Sequence, residues 1–225
     1  MSAAGAPAAG QVVEVRVGAR RALMAPLKPS ELLHAAQAAG DTDELAVRRQ
    51  GLLMALREVD GEPVRYDVLV ERFGALFPKA REVSGLIQAF VQIHEAQPAD
   101  LAAVLAAVEV EEDAAGVERW TVRLPGGRVV VLAAGSFDTL REVLASARTV
   151  RSAGARAWAG VLEGLRRAVV EVDGAPALAW TARLWDERFT ARETALLGAV
   201  WSEMHAPPEV SVGEARPASG TSSRT

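Results

Sequence analysis

Apolar and polar residues alternate over residues 12–17 and again over 119–124, the period-two pattern of a half-buried strand. Each stretch meets a turn. In the second it is Pro125-Gly126-Gly127-Arg128, followed by the β-branched run 129–131, which predicts a hairpin. In the first, residues 18–21 lead to 22–25, a weaker version of the same pattern. Ser30 and Ser136 then stand where a helix N-cap belongs, since a serine oxygen accepts from the free amides of a first turn. A second helix is expected over 43–58 and over 155–170, each running into Val-Asp-Gly, where Asp-Gly supplies a positive backbone angle and the proline two residues on prevents resumption. The last helix shows apolar residues at helical spacing: Val83, Leu86, Ile87, Phe90 and Ile93, and in the other half Leu197, Val200, Trp201 and Met204. Pro98 and Pro207-Pro208 follow these helices.

The parallel extends from pattern to letters. Residues 51–63 (GLLMALREVDGEP) and 164–176 (GLRRAVVEVDGAP) agree at 8 of 13 positions, where composition alone gives about one. Residues 80–94 (AREVSGLIQAFVQIH) and 191–205 (ARETALLGAVWSEMH) match in the same order, sharing Ala, Arg, Glu, Leu and His. Two matched blocks in one order predict an α+β, mainly α fold: two tandem, diverged copies of a β-hairpin-plus-helices module. Copy one spans 12–100 and copy two 119–208. Residues 101–118 form a short apolar helix and acidic linker between them, and 1–11 and the polar 209–225 are expected to be disordered.

Composition narrows the function classes. Half the residues are hydrophobic, enough for a buried core. The 25 basic and 29 acidic residues leave a net charge of -4, the wrong sign for gripping phosphate backbones, so no nucleic-acid partner is expected. Without cysteine there are neither disulfides nor thiolate metal sites. The first ten residues lack the basic start and apolar run of a signal peptide, and the apolar stretch 101–108 is too short to cross a membrane. A cytoplasmic protein without a membrane partner is expected.

Several residues invite chemistry, and each has a competing explanation. His94 and His205 occupy matching positions and, with Glu95 and Glu203, form a candidate metal or enzymatic site shared between the copies. A histidine in a last helical turn also suits the carbonyl end of the helix dipole. Asp60 and Asp173 are carboxylates in Val-Asp-Gly, which turn chemistry explains without catalysis. Arg81-Glu82 and Arg192-Glu193 read as solvated helix starts. Gly126-Gly127 lacks the flanking pattern of a phosphate loop. All five tryptophans lie in copy two, an excess over what two equivalent cores need. Trp185, in a charged segment, is therefore expected at a partner-binding surface with Trp180 and Trp158, while Trp201 is expected in the core. Nothing points to a cofactor.

A hairpin with an LPGGR turn (residues 124–128), a VDGxP turn (172–176) and a final helix ending in EMHAPP (203–208) resembles the small tail-assembly chaperones of tailed bacteriophages and of contractile tail-like particles. The likeness is best over 121–209; copy one lacks the Pro-Gly-Gly turn. The resemblance implies a non-enzymatic protein that binds a tail or baseplate subunit during assembly. A structural subunit retained in the finished particle is the alternative that sequence does not separate from a chaperone.

Overall fold

The computed structural model describes residues 12–40, 44–177 and 179–206. Both segments expected to be disordered, 1–11 and 209–225, lie outside the described residues, as do Pro207 and Pro208. The chain opens with an antiparallel hairpin, β1 (Val13–Val17) and β2 (Arg20–Met24), closed by a two-residue turn with Gly18 at a φ of +63°. Helices α1 (Pro29–Ala39) and α2 (Glu44–Ala55) follow, then β3 (Leu56–Val59), β4 (Glu62–Pro63), α3 (Tyr66–Leu76) and α4 (Ala80–His94). α5 (Pro98–Ala106) and β5 (Glu109–Glu112) lead into the second half. There the same order recurs: β6 (Glu118–Arg123), β7 (Val129–Ala133), α6 (Phe137–Ala147), α7 (Ala153–Ala168), β8 (Val169–Val172), β9 (Ala175–Pro176), α8 (Ala182–Arg188) and α9 (Ala191–Met204). The fold is α+β and mainly helical, with antiparallel sheets ordered β1-β2-β3-β4 and β5-β6-β7-β8-β9.

Agreement between the halves reaches single hydrogen bonds. Asp60 and Asp173 both sit at a φ of +52°, each followed by a glycine of positive φ, which is the backbone of a two-residue hairpin turn of the primed type. Asp60 Oδ1 accepts from the Arg21 amide at 2.9 Å, and Asp173 Oδ1 from the Val129 amide at 2.9 Å. Their other oxygens face Arg20 and Arg128, at 2.7 and 3.6 Å. The register shifts between Leu23 and Met24 where β2 meets β3, and between Val131 and Leu132 where β7 meets β8.

Several expected boundaries move. The second helix of each half ends at Ala55 and Ala168, short of Glu58 and Val170, because the next four residues bury their first and last side chains against the hairpin and add a strand to it. Ser136 caps α6 by accepting from the Thr139 amide, whereas Ser30 lies inside α1 behind Lys28 and Pro29. The acidic linker is partly a strand: β5 pairs along β6 as a fifth member of the second sheet. α3 and α8 had no place in the pattern read from sequence.

Each half has its own apolar core. Met24, Leu52, Leu56, Phe73, Leu86 and Phe90 anchor the first; Val122, Leu132, Leu165, Trp185, Phe189 and Leu197 anchor the second. α5 gives its buried Val104 to the second core, and Leu33 of α1 packs against it too. The halves are thus joined through α1, which lies on α7, α8 and α9.

Candidate interaction surfaces

Of the three tryptophans expected at a partner surface, the structure puts each to a different use. Trp185 is 1% exposed, packed at a tilt against Phe189 with ring centroids 4.4 Å apart, and its Nε1 donates to Thr194 Oγ1 at 3.0 Å. It is core, which corrects the expectation that the charged letters around it would hold it at the surface. α8 explains the difference: one turn of helix sends Arg183 and Glu187 outward to pair with each other and turns Trp185 inward. Trp158 is half-buried and its Nε1 donates to the Pro29 carbonyl at 3.0 Å, so its partner is α1 of the first half. Trp180, also half-buried, borders a surface pocket of about 220 Å³ with Val172, Ala177, Leu184 and Arg188. Its own Nε1 is buried without a hydrogen-bond partner.

Trp201 departs from expectation in the opposite direction. It is half-buried, lying over Gly164, and forms one wall of a cleft of about 340 Å³ between α6, α7 and α9. His205, Arg167, Thr139 and Leu140 are among its other lining residues. Arg167 is neutralised there by Glu163 at 2.8 Å and Glu142 at 2.5 Å.

The two histidines stay in separate halves. His94 is buried, with Nδ1 donating to the Phe90 carbonyl at 2.9 Å and Nε2 3.4 Å from the Ala25 carbonyl. Burial pushes its pKa below the ordinary imidazole value, against the opposing pull of those carbonyls and of Glu95 and Glu31. In His205, Nδ1 donates to the Trp201 carbonyl at 2.7 Å and Nε2 accepts from the Gly135 amide at 3.4 Å. Each ring ties the end of its final helix to the loop after its own hairpin. A shared metal site needs the two rings to converge, and among the described residues no group of three or more His, Asp and Glu side chains is placed to hold a metal ion.

The remaining candidates are absorbed by structure. Asp60 is held below the usual carboxylate range chiefly by the Arg21 amide and then by Arg20, as the hydrogen bonds of its turn require. Gly127 spends its amide on the Leu124 carbonyl at 2.8 Å inside the β6–β7 turn. Arg192 is no solvated helix start: 15% of its side chain is exposed, and it bridges the Gln92 carbonyl and Asp100. Glu82 is buried, and Glu193 completes a capping box with Thr190.

What sequence reasoning missed is a bare helix face. On α6, Phe137 is 79% exposed and Leu144 59%, seven residues apart and therefore on one side of the helix, with exposed Arg141 between them. A phenylalanine at the first position of a capped helix was the available signal. The face stands beside the Trp201 cleft, since Thr139, Leu140 and Val143 of the same helix line it. Comparison of the chain with protein-family models, curated proteins and solved structures gives no match. No helix among the described residues is long and apolar enough to cross a membrane.

Proposed function

We propose that the two halves are diverged copies of one module and that the chain is a non-enzymatic, cytoplasmic binder of other protein subunits. By the resemblance of its second half, it acts as a chaperone or adaptor in assembling a phage tail or contractile tail-like particle. The observation that supports this most is the apolar face of α6, where Phe137 and Leu144 stand in solvent. Isolated exposed apolar residues are ordinary, but a large pair on one helix face bordering an apolar-walled cleft is what a protein-binding surface presents. The carboxylates and imidazoles that a hydrolytic or metal-dependent reading requires are engaged with backbone groups of their own half.

Co-purification from the native host tests the reading. Tagged chain should bring down tail or baseplate subunits, and the exposed double variant Phe137→Asp, Leu144→Asp should lose them while keeping its melting temperature. Recovery of the same subunits by that variant would remove α6 as the binding face. Presence of the chain in mature particles would make it a retained subunit in place of a chaperone.

A further inference from the structure

The contact between the halves has a direction. α1 carries Pro29, Leu33 and the buried Ala36 on one face, and this face meets the second half through Pro29 and Leu33. It is received by Trp158, which donates to the Pro29 carbonyl, and by Leu162 and Ala182, which line a small cavity together with Leu33. Asp186 adds a polar clamp, accepting from the Ser30 amide at 3.0 Å and from its hydroxyl.

Counting from matched caps and turns assigns the counterparts. Lys28 and Ser136 are the N-caps of α1 and α6, so Pro29, Leu33 and Ala36 correspond to Phe137, Arg141 and Leu144. The glycines under the final-helix aromatics, Gly51 and Gly164, align α2 with α7, and the caps Phe77 and Phe189 align α3 with α8. Trp158, Leu162 and Ala182 then correspond to Leu45, Arg49 and Val70. All six counterparts are exposed, Leu45 at 56% and Val70 at 48%. The second half therefore presents a docking helix face with nothing on it, and the first half presents the receiving face with nothing in it, among the described residues. Vacant, mutually matching faces on different halves of one molecule define a heterologous contact, which generates a ring if its rotation closes and a filament if it does not.

We propose that a second copy of this chain seats its α2–α3 face on α6 of the first, so that copies add head to tail in the geometry by which the halves already pack. This rests on the reading of α6 as a protein-binding face and names its partner. The receiving elements carry exposed Glu44 and Glu71 beside Arg49 and Arg72, and the docking side carries Arg141 and Arg148, so the match rests on the repeated packing geometry and its apolar residues and not on charge. Arg49 opposite Arg141 replaces the apolar pair Leu162 and Leu33, so the contact between copies is weaker than the one between halves.

Sedimentation velocity across a concentration series tests it. The weight-average mass of the wild type should rise with concentration, and Arg49→Leu should shift that rise to roughly tenfold lower concentration. A docking-side variant (Phe137→Asp, Leu144→Asp) and a receiving-side variant (Leu45→Asp, Val70→Asp) should each be monomeric alone, yet form a 1:1 complex when mixed, because each retains the face the other lacks. As a proximity readout independent of affinity, Phe137→Cys mixed with Leu45→Cys should give a covalent heterodimer under mild oxidation, unambiguous in a chain without native cysteine. Wild type and Arg49→Leu both monomeric throughout, or aspartate variants that do not pair, would overturn head-to-tail association. If host subunits are still captured through Phe137 and Leu144 while the purified chain stays monomeric, self-association fails and the binding reading stands. Self-association with no effect of the α6 variant on captured subunits is the reverse case.

Discussion

Gly164 lies directly beneath the indole of Trp201: a Cβ built on it would meet Cζ2 at 2.5 Å, just as one on Gly51 would meet Cζ of Phe90 at 2.5 Å. The two contacts occupy corresponding places in the halves, but their surroundings differ. Phe90 is 1% exposed and enclosed by the first core, whereas Trp201 borders an open cleft. Alanine in place of glycine favours a helix by roughly 1 kcal/mol, and overpacking costs about 1–3 kcal/mol. Gly51→Ala should therefore destabilise by up to about 2 kcal/mol, while Gly164→Ala should be close to neutral because the indole can swing into the cleft. Denaturant titration of the two variants checks the difference, and equal losses would mean that the cleft gives Trp201 no freedom.

Trp185 belongs to fold stability. Its truncation to alanine empties the centre of the second core and strands the hydroxyl of Thr194, which is fully buried. The expected loss is about 3–5 kcal/mol, against under about 1 kcal/mol for Leu184→Ala, whose side chain is 43% exposed. Thermal melts of the two neighbours separate these roles. A Trp185→Ala chain with unchanged melting temperature would put the tryptophan back on the surface.

These two tryptophans also mark where the sequence was legible and where it was not. The hairpins, the Val-Asp-Gly turns and the final helices were readable because each is specified locally: by period two, by Asp-Gly with its positive φ, and by apolar residues three and four apart. The direction of Trp185 depends on α8, whose seven residues, about two turns, and charged letters carry too little periodicity to reveal which side is buried. α3 was more accessible, since Leu69, Phe73 and Phe77 recur every four residues and all are buried. The use of Trp158 depended on which half packs on which, and no local pattern encodes that. The same holds for the bare face of α6, visible only by contrast with α1, its covered counterpart.

Asp186 connects stability across the halves. Its carboxylate accepts from the amide of Ser30 in the first turn of α1, supplying from the second half the cap that Lys28 does not provide. Asp186→Ala should cost about 1–2 kcal/mol, the usual range for a lost N-cap, and Asp186→Asn should recover part of it. Hydrogen exchange should show the loss as faster exchange at the start of α1, in the opposite half from the substitution. Changes confined to α8 would mean that the contact carries no capping energy.

His94 sets a pH limit on the fold. Its buried ring donates from Nδ1 to the Phe90 carbonyl, and burial holds its pKa below the ordinary imidazole value, with Glu95 and Glu31 only partly offsetting the effect. For a group that titrates lower when folded, the unfolded chain binds more protons on acidification. The stability is thus complete above the unfolded value of about 6.5 and is lost as pH falls from there through the folded value. The carboxylates held low in the folded state, Asp60, Asp113 and Glu14, have the same sign, but their contribution is complete above about pH 4 and declines only below it. Melting temperature should accordingly decline from about pH 6.5 downward, before the carboxylates begin to titrate. His94→Gln, less stable at neutral pH through lost packing, should show a flatter profile between about pH 6.5 and 5 and so close the gap to wild type on acidification. Parallel profiles for the two proteins across that window would remove His94 as the titrating group.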